Sequence, residues 1–134
     1  MMNKNVDLGL LLVRMGIGFP MLIYGINKLF TGIDFIKNLL TASGLPSFLG
    51  YGVYVGEIIA PILIIIGYRT RIAGAVLAIN CFTAILLTQI PFLFKLNDYG
   101  GWALELLAIY MLIGLSLLFS GAGKLAISKL HTWD

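Results

Sequence analysis

The sequence predicts an all-α integral membrane protein: a four-helix bundle with a short amphipathic interfacial helix between helices 1 and 2. The first observation is composition. Of 134 residues, 60% are hydrophobic and only 11% are charged, and the mean hydropathy is +0.99. Soluble domains carry roughly 25% charged residues. A soluble fold of this composition would expose large apolar patches, so an ordinary soluble domain, a disordered chain and a disulfide scaffold are excluded.

The second observation is the length of the apolar runs. Four of them follow one another within a single predicted domain, residues 1–134, at about 8–30, 51–68, 71–94 and 101–119. Roughly 20 apolar residues of helix cross a hydrocarbon core of about 30 Å. Lipid offers no partner for open backbone groups, so helices are the expected form of each span. The stretch from Met1 to Gly18 has a passing likeness to a signal peptide, but Asp7 and Arg14 interrupt it, so an uncleaved first helix is expected.

The third observation is the long connection between the first two spans. Apolar residues recur there with helical spacing beside polar ones over residues 33–43, and Gly44 and Pro46 follow. This pattern predicts a short amphipathic helix on the outer interface. Two interpretations remain open: a lid over an opening in the bundle, or a connector that rests on lipid.

The charges predict topology rather than nucleic-acid binding. Nine Lys and Arg against six Asp and Glu give a net charge of +3. Four spans place both termini on one side of the membrane. That side carries Lys4, Arg69, Arg71, Lys124 and Lys129, whereas the other carries Lys28, Lys37 and Lys95. The excess predicts cytoplasmic termini in a bacterial inner membrane.

Ionisable residues inside the spans are costly, which makes each one a candidate functional residue. At 1.5 Å per helical residue, Lys28, Glu57 and Glu105 are expected to share a layer in the outer half of the bundle. We predict Glu57 and Glu105 as catalytic carboxylates. The predicted ligand-binding residues are Tyr24, Asn27, Lys28 and Gln89. Such a layer could pass protons to a reducible headgroup, or it could be a buried ion pair that fixes helix register.

Three arginines are predicted to have structural or lipid-facing roles: Arg14, Arg69 and Arg71. Arg14 is expected to reach headgroups or to bond backbone carbonyls, with Asn80 nearby. One cysteine, Cys81, excludes an internal disulfide and a CxxC redox pair. With a single histidine as well, the chain is not expected to build a transition-metal site.

The order of several short motifs resembles the DoxX family of small bacterial four-helix membrane proteins. Arg14 is followed by the run from Tyr24 to Phe30, by Gly44-Leu45-Pro46 and by Glu57. Gly67-Tyr68-Arg69-Thr70-Arg71, Glu105 and the run from Ser120 to Lys124 come next, so the likeness covers about residues 8–125. The resemblance implies a link to a membrane thiosulfate:quinone oxidoreductase or to complexes of thiol homeostasis. Family members often have His where this chain has Tyr24.

The expected function is therefore a membrane subunit of a bacterial oxidoreductase that interacts with a non-covalently bound quinone, in sulfur-compound or thiol oxidation. Electrons would have to come from a partner protein or a small reductant, because the chain offers neither a metal set nor a thiol pair. The expected partners are the lipid membrane and a soluble or membrane oxidoreductase subunit, a second copy of the chain, or both. Two alternatives remain: a non-catalytic chaperone or anchor that assembles a partner complex, and a small-molecule carrier.

Overall fold

A computed structural model describes residues 5–128 and 130–134, and it confirms the all-helical membrane fold. Its helices are α1 (Val6–Thr31), α2 (Asp34–Ala42), α3 (Ser47–Ile66), α4 (Thr70–Phe92) and α5 (Glu105–Ser120). Helices α1, α3 and α4 are long and apolar enough to cross a membrane, and α5 is a shorter apolar helix. Large apolar side chains such as Ile23, Ile79 and Phe119 are exposed on the outside of the bundle, where lipid would cover them.

Local signals in the sequence explain where the helices begin and end. Asn5 caps α1, because its side chain accepts a hydrogen bond from the backbone N–H of Leu8 at 3.0 Å. Gly32 ends α1 with a φ of +83°. Gly67 ends α3 in the left-handed conformation, with a φ of +78°, which costs glycine little because it has no Cβ.

Glycines let the helices pack closely. Helices α4 and α5 meet at Gly74 and Gly114, where a Cβ added to Gly74 would lie 2.6 Å from the Gly114 carbonyl oxygen. Helices α1 and α3 meet at Gly18 and Gly25. The core between these four helices includes the buried side chains of Ile17, Met21, Ile64, Leu77, Cys81 and Leu117.

Helix α5 is shorter than the apolar run at 101–119 predicts. Residues 93–104 form a compact loop, in which Trp102 donates a hydrogen bond from Nε1 to the Leu93 carbonyl at 2.7 Å. The backbone N–H of Asn97 also donates to the Gly101 carbonyl at 2.7 Å. Because residues at 101–104 make these hydrogen bonds within the loop, the helix begins only at Glu105.

The described residues of the segment at 121–134, which are 121–128 and 130–134, fold back over the end of α3 and the start of α4. The backbone N–H of Ile127 donates to the Ile66 carbonyl at 3.1 Å, and the N–H of Ala122 donates to the Asp134 carbonyl at 2.8 Å. This segment supplies partners for backbone groups that a helix end leaves open. At the other end of the bundle, α2 lies across the space between α1, α3 and α4.

Candidate functional site

A cavity of about 710 Å³ lies between α1, α3 and α4, with α2 over it. Most of its lining is apolar, and α2 contributes Phe35, Ile36, Leu39 and Leu40. Ligand pockets in proteins commonly measure about 300–1,000 Å³ and combine apolar walls with a few polar groups. Because the apolar face of α2 lines the cavity, the structure favours the lid over the lipid-resting connector.

Lys28 and Glu57 form an ion pair in the cavity wall. Lys28 Nζ donates a hydrogen bond to Glu57 Oε1 at 3.0 Å and lies 2.8 Å from Oε2. The side chain of Lys28 is 24% exposed and that of Glu57 only 10%, so the ammonium group is the more accessible partner. The expected proximity of these two residues is present in the structure.

The backbone around Glu57 explains how the pair is positioned. Residues Val55–Ile59 form a widened helical turn with i→i+5 hydrogen bonding, a feature often found at functional sites. Gly25 of α1 packs directly on the backbone of Glu57, and any side chain at position 25 would collide with the Glu57 carbonyl. The close approach of α1 to α3 therefore brings Lys28, one turn further along, to the carboxylate.

Two other predicted ligand-binding residues line the same cavity, Tyr24 and Gln89. The Tyr24 ring centroid lies 5.7 Å from Lys28 Nζ, within the range of a cation–π interaction. Gln89 ends a second widened turn, Ile85–Gln89, in α4. Four of the six predicted catalytic or ligand-binding residues thus surround one space.

The remaining two lie elsewhere. Glu105 is exposed at the start of α5, and its Oε1 accepts a hydrogen bond from Asn97 Nδ2 at 3.2 Å. Glu105 is not among the residues that line the cavity, and it is the first residue of α5 rather than lying one turn inside that helix. Asn27 is exposed on α1 and also lies outside the cavity lining.

Of the two roles expected for Arg14, headgroup contact and carbonyl bonding, the structure shows the second. The residue is only 1% exposed, and its guanidinium group donates hydrogen bonds to four backbone carbonyls. The acceptors are Ile64 at 2.8 Å, Ile65 at 2.9 Å, Ala122 at 3.1 Å and Leu125 at 2.7 Å. The alternative of carbonyl bonding is therefore what the structure shows, whereas Asn80 is not among the partners of Arg14.

Arg69 and Arg71 hold the segment at 121–134 rather than facing lipid. Arg69 pairs with the Asp134 carboxylate at 2.9 Å, and Arg71 donates to the carbonyls of Leu118 and Thr132 at 2.7 and 2.8 Å. Burial alone would raise the pKa of Asp134. Hydrogen bonds from the Ser128 hydroxyl, the His131 N–H and Arg69 outweigh it and hold that pKa well below the usual range.

Outside the membrane spans, Lys37 fastens α2 to the start of α3. Its Nζ donates a hydrogen bond to the Tyr51 hydroxyl at 2.6 Å and lies 4.4 Å from the centroid of that ring. The hydrogen bond favours the charged form and raises the pKa of Lys37. Helix α2 is therefore held over the cavity by its chain connections to α1 and α3 and by the contact between Lys37 and Tyr51.

Sequence reasoning missed the polar residues that α4 presents to the cavity, Asn80, Thr83 and Thr88. A signal was available: polar residues at 80, 83 and 88 recur at helical spacing in an otherwise apolar run. The cavity wall therefore offers an ammonium–carboxylate pair, a phenol, two hydroxyls and two carboxamides in an apolar enclosure. The ammonium, phenol and carboxamide groups of this set can donate hydrogen bonds to the oxygens of a planar head.

Comparison with known proteins identifies the family. The DoxX family model matches residues 9–90, which include Tyr24, Lys28, Glu57 and Gln89. A Bacillus subtilis (strain 168) protein described as "Putative oxidoreductase CatD" is 31% identical over 110 residues, covering 82% of this chain and 81% of the relative. No solved structure matches the chain. The chain is a multi-pass membrane protein, and it belongs to the DoxX family.

Proposed function

We propose that the chain is a quinone-binding membrane subunit of an oxidoreductase. The observation that carries the proposal is the Lys28–Glu57 pair in the wall of a largely apolar cavity of about 710 Å³. The Bacillus subtilis relative, described as "Putative oxidoreductase CatD", supports a redox association. A quinone head needs hydrogen-bond donors for its oxygens and apolar surface for its ring and tail, and this cavity supplies both.

The roles of the residues follow from their exposure. Lys28, the more exposed member of the pair, donates a hydrogen bond to a carbonyl oxygen of the head. Glu57 sits behind it as the negative partner of the ammonium group. When the reduced head takes a proton from Lys28, a proton from bulk water restores the ammonium form, which the Glu57 carboxylate stabilises. Tyr24 packs beside Lys28 as a second donor at the same edge of the cavity.

Reduction of a quinone to a quinol takes two electrons and two protons. The chain's single cysteine is fully buried, so we assign the electron supply to a partner oxidoreductase subunit or to a small reductant such as a sulfur compound or thiol. This chain would then bind the head and pass to it two protons that come from bulk water by way of Lys28, whereas the partner would deliver the two electrons.

We also propose a bacterial inner membrane location with cytoplasmic termini. The structure groups Arg69, Arg71 and Lys124 at the end of the bundle where α1 begins, and Asp7 of α1 accepts a hydrogen bond from the backbone N–H of Lys124. The sequence adds Lys4 and Lys129 to this end, although both lie outside the described residues. Cationic residues favour the cytoplasmic side, which places the cavity and α2 in the outer half of the bilayer.

Native mass spectrometry of the gently extracted protein tests the proposal. We expect wild type to retain a quinone, and folded Glu57→Gln to lose it because the ion pair is broken without a change in side-chain size. Asp98→Asn is the matched control, since Asp98 is an exposed carboxylate outside the cavity lining. A quinone retained equally by all three proteins would contradict the site. A ligand-free wild type that carries a stoichiometric protein partner would instead support an assembly or anchoring role.

A further inference from the structure

The carboxamide of Asn80 is a polar group whose partner is missing from the described part of the chain. Asn80 is half-buried on α4 and lines the cavity, and none of the hydrogen bonds among the described residues involves its side chain. An amide can donate two hydrogen bonds and accept two, and the Asn80 amide atoms are not among the fully buried, unpartnered atoms of the described residues, so they remain accessible to a ligand in the cavity. The contents of the cavity are therefore the natural partner of this amide.

Gly56 fixes Asn80 close to the ion pair. A Cβ added to Gly56 would lie 2.5 Å from Asn80 Cβ, 2.6 Å from Cγ and 2.8 Å from Oδ1. Only a glycine leaves room for this approach, because real Cβ atoms do not come so close to other heavy atoms. Since Gly56 precedes Glu57 in the widened turn of α3, the amide is held next to the backbone that carries the carboxylate.

The neighbouring hydroxyl groups on α4, those of Thr83 and Thr88, already donate hydrogen bonds within the helix. Thr83 donates to the Ile79 carbonyl at 2.8 Å, and Thr88 donates to the Ala84 carbonyl at 2.7 Å. Neither hydroxyl can therefore give its proton to a ligand without breaking a bond within the helix. The amide of Asn80 keeps its donors free, and it is the α4 group that Gly56 places beside Glu57.

We propose that Asn80 is the second polar anchor of the ligand and determines specificity for a planar head with two oxygens, such as a 1,4-dione. Lys28 lies on α1 and Asn80 on α4, the helices that flank α3 around the cavity. The ammonium group donates to one oxygen, and the amide N–H of Asn80 donates to the other. This inference rests on the proposed function, because it assumes that the cavity holds such a head.

Binding of two probes to the purified protein in nanodiscs tests the proposal. One probe is 2-methyl-1,4-naphthoquinone, and the other is a 1-tetralone that keeps the fused ring but lacks the second carbonyl. We expect wild type to bind the dione about tenfold more tightly than the mono-ketone, the size of one good hydrogen bond. Asn80→Leu should bind the two probes equally. Asn38→Leu makes the same change on an exposed face of α2 outside the cavity lining and should keep the preference.

A partly unfolded variant would bind both probes less well by the same factor, so the ratio of the two affinities does not depend on how much of the protein is folded. If Asn80→Leu does not fold, Asn80→Ala provides the same ratio. A tenfold preference that survives in the Asn80 variant overturns the role of Asn80, while loss of dione binding in Glu57→Gln would still support the proposed function. Wild type that binds neither probe overturns both. Infrared spectra of the carbonyl-labelled dione give a second readout, since loss of the amide donor should raise one carbonyl stretching frequency in Asn80→Leu.

Discussion

Replacing Arg14 with alanine removes a side chain that joins α1 to both the end of α3 and the described part of the segment at 121–134. Its guanidinium group donates to the carbonyls of Ile64 and Ile65, in the last turn of α3, and to those of Ala122 and Leu125. A cation at a helix C-terminus also interacts favourably with the helix dipole. After the substitution these carbonyls would lose their donors inside a buried, low-dielectric site.

The expected cost is large for a single residue. Hydrogen bonds to a charged group are worth about 1.5–3 kcal/mol each, but the variant also regains the desolvation energy of the buried cation. Leaving a buried acceptor without a donor costs about 1–3 kcal/mol, and the substitution leaves four backbone carbonyls in that state. We therefore expect Arg14→Ala to lower the free energy of unfolding by about 4 kcal/mol, against a total of about 5–15 kcal/mol for a typical domain.

Equilibrium unfolding in mixed micelles, followed by circular dichroism, measures this cost. Arg14→Lys keeps the charge but offers three donors from one point, so it should recover about half of the lost stability. Lys124→Ala removes an exposed cation at the same end of the bundle and should change stability by less than about 0.5 kcal/mol. If Arg14→Ala lies within about 1 kcal/mol of wild type, the four hydrogen bonds do not hold the two segments together.

Two further predictions concern packing and pH. Gly25→Ala should separate α1 from Glu57 and reduce both stability and quinone affinity, because the added Cβ would collide with the Glu57 backbone. In the control Gly16→Ala, on the same helix, the added Cβ meets nothing within 4 Å, so this variant should be neutral or slightly stabilised. Thermal unfolding and quinone titration of the two variants measure the difference, and equal losses in both would contradict the prediction. Because the pKa of Asp134 is lowered in the folded state, its contribution to stability is complete above the ordinary aspartate pKa and is lost as pH falls through the lowered value. In a variant with Trp102 replaced by phenylalanine, the fluorescence of Trp133 should therefore report release of the segment at 121–134 only at pH values below the ordinary aspartate pKa. Release at pH 5 would refute the link between the charge of Asp134 and the docking of this segment.

The sequence alone predicted the helical bundle and the proximity of two residues of the site, Lys28 and Glu57. Long apolar runs and sparse charge specify membrane helices with few alternatives. Counting residues along α1 and α3 placed Lys28 and Glu57 in one layer, and the structure has them 2.8 Å apart. The count worked because both residues lie inside continuous helix.

For Glu105 the same count assumed that the helix begins by residue 101, whereas α5 begins at Glu105 and its carboxylate accepts a hydrogen bond from Asn97 rather than lining the cavity. Loop hydrogen bonds around Asn97 and Trp102 delay the start of α5, and no apolar pattern reveals them. For Arg14 the sequence left two roles open, headgroup contact and carbonyl bonding, for a different reason. Its acceptors are backbone carbonyls 50 to 111 residues away in sequence, and a carbonyl has no residue-type signature. The place of Asn80 likewise depends on a helix contact at Gly56 that only the tertiary structure supplies.

Photoaffinity labelling with an azidoquinone, followed by peptide mapping, tests the central claim most directly. The account predicts label on the cavity walls, in peptides that contain Tyr24 of α1 and Val53 of α3, with protection by excess unlabelled quinone and loss of label in Glu57→Gln. Label confined to lipid-facing residues such as Ile23 and Phe119, unchanged by that substitution, would contradict a quinone site in this cavity.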